Sequence, residues 1–367
     1  EAREAMLAAL GLGAANPSSV HAFGRAARAV VEKARGQVGA AIGSRAEDIV
    51  FTSGGTESLM LAIQGAVLAL DGKATLIVSG IEHDAAVKAA AYAGAPVETA
   101  YVLANGQADL EDLKSRLSGW DKTAKGTPVL VLMLANNETG VIQPVAEAAA
   151  IVRDAGGLTV CDAVQAFGKI PVNAALLGAD YLALSAHKIG GPQGVGALWH
   201  RAGAPLKALQ YGGGQERGLR SGTENVAGIA GFGAAAEAAV RDLPKYAMLA
   251  KHRDAMEARL KAEGGVTVMG EGSPRLAGTS NFARAGFRAE TQVMAMDLAG
   301  VCISAGSACS SGKVKRSLVL MAMGADDALA EAAIRISFGW DTKPEDFSRV
   351  AEAWLEAARR TVLKESA

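Results

Sequence analysis

Ile49-Val50-Phe51-Thr52-Ser53-Gly54-Gly55-Thr56-Glu57-Ser58 runs from apolar and β-branched residues through a pair of glycines into an apolar helical pattern. A buried strand, a tight turn and a helix start, in that order, form the opening half of a βαβ unit. Working outward, further short apolar runs at 76–78, 97–101, 129–133, 158–161, 181–184 and 195–198 each read as a buried strand. Helical patterns at 57–70, 85–92, 110–117 and 145–155 separate them, the last preceded by Pro144. The expectation is an α/β fold with a mostly parallel sheet.

After Gly214 the pattern changes to long helical stretches, with strand-like runs at 279–282 and 333–337. These predict a second, smaller α/β domain. The division expected is a large domain over 11–243 and a small domain made of 1–10 and 244–367, with the first helix packed on the small domain. A length of 367 residues, half of them apolar and a fifth charged, fits two folded domains and excludes a disordered chain.

Charge excludes other classes. With 37 Lys+Arg against 38 Asp+Glu the net charge is −1, which disfavours a nucleic-acid partner. The apolar run Val226 to Val240 is broken by Glu237 and by glycines, so no membrane span is expected. Cys161, Cys302 and Cys309 are too few and wrongly spaced for a disulfide framework or a zinc site, which points to a reducing, cytoplasmic setting. The opening Glu1-Ala2-Arg3-Glu4-Ala5-Met6 does not read as a signal peptide, and a preceding segment is expected to be missing.

In an open parallel sheet, ligands sit beyond the carboxyl ends of the strands, so the residues following each strand carry the chemistry. Thr52 to Ser58 can close backbone N–H groups and hydroxyls around an anion at a helix start, although a helix capped by Thr56 explains the same residues without a ligand. Later strand ends present Glu82-His83, Asn136-Asn137-Glu138-Thr139-Gly140, Asp162-Ala163-Val164-Gln165 and Ser185-Ala186-His187-Lys188. Each residue alone has an ordinary structural use. Together they suit a planar, phosphorylated, basic heteroaromatic aldehyde: Lys188 to form a Schiff base, Asp162 to keep the ring nitrogen protonated, and His83 to stack on the ring. Gln165 and Asn137 would hold the ring hydroxyl oxygen or a substrate carboxylate, while Gly55, Thr56, Ser185 and His187 would cradle the phosphate. The glycine-rich run from Gly190 to Gly196 is followed by a strand, not a helix, and so predicts a hairpin beside Lys188, not a dinucleotide site.

These segments closely resemble the NifS/IscS-like cysteine desulfurases, pyridoxal-phosphate enzymes of the class V aminotransferase group. So do Asn16-Pro17-Ser18-Ser19-Val20-His21, Gly212-Gly213-Gly214-Gln215-Glu216, Arg220-Ser221-Gly222-Thr223-Glu224-Asn225 and Ser304-Ala305-Gly306-Ser307-Ala308-Cys309-Ser310-Ser311-Gly312. The resemblance implies the aspartate aminotransferase-like fold (fold type I), pyridoxal 5'-phosphate as cofactor, a homodimer, and removal of sulfur from L-cysteine to leave L-alanine. It gives Lys188 the Schiff base, His83 stacking and acid–base work, Asp162 and Gln165 the ring, and Thr56, Ser185 and His187 the phosphate, joined by Thr223 of the partner subunit. Arg335, with Asn137, is implied as the clamp for the substrate carboxylate, a task suited to a planar two-pronged guanidinium.

Cys309, in a Gly/Ser-rich stretch, is implied as the nucleophile that takes the sulfur as a persulfide and passes it to an acceptor such as an iron–sulfur scaffold protein, or toward thio-cofactor or tRNA modification. A transient [2Fe-2S] species involving Cys309 is suggested by the resemblance alone. Cys161 and Cys302, in apolar runs, are expected to be structural. Two departures stand out: the strand with an Asn-Ala-Thr-like segment that usually opens such chains is absent, and Gly312-Lys313-Val314-Lys315-Arg316-Ser317-Leu318 replaces the usual Pro-Ser-His before Val-Leu. Selenocysteine lyase or another β-eliminating relative is the alternative; a transaminase and a decayed sulfur-relay scaffold are further readings.

Overall fold

A computed structural model describes residues 1–13, 15–305 and 316–365, with side chains as far as 360. Two compact units emerge. The first comprises Glu1–Ala100, Leu110–Leu134 and Pro144–Leu243; the second comprises Tyr101–Asp109, Ala135–Gln143 and Pro244–Ala367.

The first unit is built on seven strands: β1 (Ile49–Thr52), β2 (Ala74–Ser79), β3 (Val97–Ala100), β4 (Thr127–Val131), β5 (Leu158–Asp162), β6 (Tyr181–Ser185) and β7 (Gly196–His200). They lie in the order β1-β7-β6-β5-β4-β2-β3. Every residue of β1, β2, β5 and β6 is buried, as expected for strands covered on both faces. Only β7 runs antiparallel, pairing β6 on one side and β1 on the other. Its reversal confirms the hairpin after Lys188 and leaves the carboxyl ends of the other six strands on one edge.

The register along that edge is tight: Gly196 is paired with both Thr52 and Ser185. A Cβ at Gly196 would lie 2.7 Å from Gly54 Cα and 2.7 Å from the Leu184 carbonyl oxygen, so only glycine lets the β1 turn approach this closely.

The helix Ala2–Leu10 belongs to this unit, correcting its expected place in the small domain. It packs on the helix Val226–Arg241, where Gly231 lies so close to Met6 that a Cβ would meet Met6 Cγ at 2.6 Å. Arg241 also bonds Glu1 at 2.9 Å. Small residues on the partner helix decide the matter, since they let two helices approach closely.

The second unit has a four-stranded sheet, β10-β11-β9-β8, from β8 (Thr267–Val268), β9 (Thr279–Ala283), β10 (Ser304–Ala305) and β11 (Ile334–Ser337). Its core holds Phe282, Phe287, Met296, Ile334, Phe347 and Trp354. Within that core the Gln292 amide is satisfied completely: it accepts from Trp354 Nε1 at 2.7 Å and donates to the carbonyls of Phe287 and Ala332 at 2.6 and 2.7 Å. Residues 101–109 and 135–143, expected within the large domain, join this unit instead. The reason is backbone pairing: Leu276 N–H donates to the Gly140 carbonyl and Ile142 N–H to the Pro274 carbonyl, both at 2.8 Å.

Candidate active site

Two clusters hold the residues singled out from the sequence, one in each unit. In the first unit, Asp162 ends β5 and Ser185 ends β6, with Lys188 one short helical turn beyond it in Ala186–Ile189. Asp162 is only 5% exposed; burial pushes its carboxyl up, against the bond from Val164 N–H at 2.9 Å and the charges of His83 and Lys188. A buried carboxylate at a strand end is chemically suited to accept from a protonated ring nitrogen.

His83 caps the helix Asp84–Ala91, its Nδ1 accepting from Ala85 N–H at 3.1 Å. An imidazole whose Nδ1 accepts carries its proton on Nε2, so the cap fixes both ring position and tautomer. Behind it, Glu82 is buried; Oε1 accepts from Met133 N–H at 2.8 Å, while Oε2 has no partner. Burial first, then the charge of Asp162, pushes Glu82 well above the usual carboxylate range. Cys161, fully buried beside this pair, has its thiol pushed up by the same burial and is structural.

The phosphate-cup residues meet at the same sheet edge. The helix Gly55–Ala69 has Gly54 as its N-cap, with no side-chain cap, so Thr56 sits within the first turn and does not cap the helix. First-turn N–H groups left without a side-chain acceptor are suited to an anion. A Cβ at Gly55 would meet Val164 at 2.7 Å, which excludes any larger residue there. Ser185 Oγ and His187 Nδ1 lie 2.8 Å apart, and burial, then Lys188 and Lys169, depress His187, favouring the neutral ring. Gln165 Oε1 accepts from Lys169 at 2.8 Å, leaving its amide N–H groups for a ligand.

Thr223 is exposed on a segment whose anchors the sequence reading missed. Arg220 donates to Glu57 at 2.8 Å, and Glu57 accepts from Ser53 N–H at 2.6 Å. Burial would raise Glu57, but these bonds win and hold it below its ordinary value. Glu216 and Arg217 both adopt positive φ, 46° and 57°. That strain is held by Arg35, which grips Glu216 with two bonds of 2.6 and 2.8 Å in full burial.

In the second unit, Asn136 Oδ1 accepts from Glu138 N–H and Thr139 N–H, both at 2.9 Å, and shapes the turn that carries Asn137. Arg335 on β11 donates to the Asn137 carbonyl at 2.8 Å and to Ser304 Oγ at 3.2 Å. The Asn137 Oδ1 and Arg335 Nε are buried without partners. The unspent Arg335 Nε–H can donate to a carboxylate, whereas the Asn137 Oδ1 is an acceptor and calls for a ligand donor. Cys309 lies outside the described residues, and Cys302 is exposed, not structural as expected. Among the described residues no cluster could hold a metal ion, and no helix is long and apolar enough to cross a membrane.

Residues 3–350 match the aminotransferase class-V family, and the chain belongs to it. It is 40% identical over 339 residues to a protein named cysteine desulfurase IscS from Dictyoglomus turgidum, covering 91% of this chain and 84% of the relative. It is likewise 40% identical to cysteine desulfurase IscS 1 of Archaeoglobus fulgidus, over 95% of this chain and 91% of that one. The fold is similar to that of a NifS-like protein from Rickettsia africae, with a TM-score of 0.87 and 32% identity over 97% of this chain and 95% of the other. The family and the α/β architecture expected from the motifs are therefore those found.

Proposed function

We propose that this protein is a pyridoxal-phosphate-dependent cysteine desulfurase that converts L-cysteine to L-alanine and carries the sulfur as a persulfide on Cys309. The observation that carries the reading is the alignment at one sheet edge of buried Asp162, the Ser185–His187 pair and Lys188, on a chain 40% identical to proteins named cysteine desulfurase.

The donor set fits the cofactor. Lys188 would tether it, Asp162 would bind the pyridinium N–H, His83 would lie on the ring, and Gln165 would donate to its hydroxyl oxygen. Gly55, Thr56, Ser185 and His187 would take the phosphate, joined by Thr223 of a second copy in a homodimer. When bound, the cofactor supplies an electron sink that weakens the bonds around the substrate α-carbon.

Arg335 and Asn137 would orient the substrate by its carboxylate. The Cys309 thiolate attacks the substrate sulfur; the sulfur–carbon bond breaks, its electron pair stays with carbon, and a proton completes the alanine methyl group. His83, with its proton held on Nε2, would carry that proton traffic. The persulfide then passes to an acceptor protein, such as an iron–sulfur scaffold, in a reducing compartment.

Alanine and sulfide release from L-cysteine, with a reductant, tests the reading when wild type is compared with Cys309→Ala and both retain the visible absorption of bound cofactor. Loss of sulfide in the variant alone supports it. Undiminished release by Cys309→Ala would favour a β-eliminating lyase with selenocysteine as a candidate substrate.

A further inference from the structure

The segment that contains Cys309 is flanked by two residues whose side chains are tied to one turn. On its N-terminal side, Ser304 Oγ accepts from Arg335, and Arg335 in turn holds the Asn137 carbonyl. On its C-terminal side, Ser317 Oγ donates to Glu138 Oε2, the next residue along that turn. Ser317 is fully buried and also accepts from Leu320 N–H at 3.1 Å, capping the helix Leu318–Ala322. Its own proton is therefore committed to Glu138.

Glu138 is itself held on three sides. Its N–H donates to Asn136 Oδ1 at 2.9 Å, its carbonyl accepts from Asn281 at 3.2 Å, and its carboxylate is only slightly exposed. Asn281 on β9 is the strand partner of Arg335 on β11, so turn and arginine are fixed on adjacent strands.

We propose that Glu138 is a positioning residue for sulfur transfer: through Ser317 it fixes where the chain returns after Cys309, relative to the arginine that orients the substrate carboxylate. The proposal rests on the desulfurase reading for what is transferred, but the tether itself does not. The Ser317 hydroxyl can donate to either form of the Glu138 carboxyl, but the bond is strongest to the ionised one, because a charged acceptor makes the stronger hydrogen bond. Burial pushes Glu138 up to about 7, against Ser317 and Arg335, so the tether is sensitive to pH in the neutral range. Arg335 is the charged group that acts on it.

The experiment uses the cofactor-loaded full chain and three variants, Glu138→Gln, Ser317→Ala and Ser317→Thr. The rate of persulfide formation on Cys309 is measured in a single turnover, L-alanine affinity from the cofactor spectrum, and alkylation of Cys309 against Cys302 by mass spectrometry. Glu138→Gln and Ser317→Ala are expected to slow persulfide formation about tenfold or more, since small misplacements of reacting groups cost that much. L-alanine affinity should stay within about twofold, Ser317→Thr should restore the rate, and the wild-type rise of rate with pH near 7 should flatten in Glu138→Gln. Cys309 alkylation should change severalfold while Cys302 alkylation does not.

Unchanged persulfide formation and unchanged alkylation in both Glu138→Gln and Ser317→Ala would overturn the proposal, as would a proportional loss of affinity and rate. A wild type that makes no alanine would remove the desulfurase reading, and the alkylation ratio would still decide the tether.

Discussion

Glu82 and Asp162 are two buried carboxyl groups in electrostatic contact, and Glu82 is pushed the further from its ordinary value. Its proton makes the pair tolerable: like charges without solvent cannot both ionise cheaply. A carboxyl whose folded pKa is raised binds more protons folded than unfolded, so its contribution to stability is fully present below about pH 4 and is lost as pH rises. Glu82→Gln should therefore flatten part of the decline of unfolding free energy above that pH, seen in urea titrations at several pH values. Glu82→Ala, which removes the carboxyl that accepts from Met133 N–H, should instead cost about 1–3 kcal/mol throughout.

The clamp of Arg35 on Glu216 is the most buried ion pair described, with side chains 4% and 2% exposed. Removing Arg35 leaves the buried charge of Glu216 unpaired in a segment where Glu216 and Arg217 both have positive φ. Arg35→Met is expected to cost about 3–5 kcal/mol in chemical denaturation, whereas Lys207→Met, whose partner Asp71 is exposed, should fall within about 1 kcal/mol.

His83 separates capping from chemistry in one substitution. Asn is as good an N-cap, so His83→Asn should leave the melting temperature nearly unchanged. Turnover of L-cysteine should drop about 10²–10⁴-fold, the range for losing a general acid–base. Steady-state kinetics beside a thermal melt reads both quantities.

Gly196→Ala tests the sheet edge. Its new methyl would press on Gly54 and the Leu184 carbonyl, both backbone, so the turn before Gly55 must shift. An expected loss of about 1–3 kcal/mol in stability should come with faster dissociation of pyridoxal phosphate on dilution, followed by absorbance. Gly194→Ala, with open space at its Cβ but a φ of +75°, should lose stability without that change in cofactor retention.

Much of the first cluster was legible because local rules governed it. Asp162, Ser185 and Lys188 follow buried strands, and in a parallel sheet the residues after the strands share an edge. What was not legible depended on pairs far apart in the chain. Arg35 and Glu216 are separated by 181 positions and Glu138 and Ser317 by 179, and neither partner looks unusual in its own neighbourhood. Glu82 and Glu138 read as ordinary flanking acids because burial, which gives them their character, is a tertiary property. The allegiance of the first helix failed for the same reason: an amphipathic pattern declares a sticky face but not the surface that receives it.

The interleaving of the second unit bears on how such chains can be rearranged. Its residues arrive in three separate stretches, two of them excursions that follow β3 and β4. A recombination joint at Leu243–Pro244 would carry away Arg335 and leave behind the Asn137 carbonyl that aims it. The C-terminal portion is therefore not an exchangeable cassette. Chimeras made at that joint should inherit a misaimed guanidinium unless residues 135–143 travel with it, and a split protein would need both fragments to reassemble before the arginine found its register.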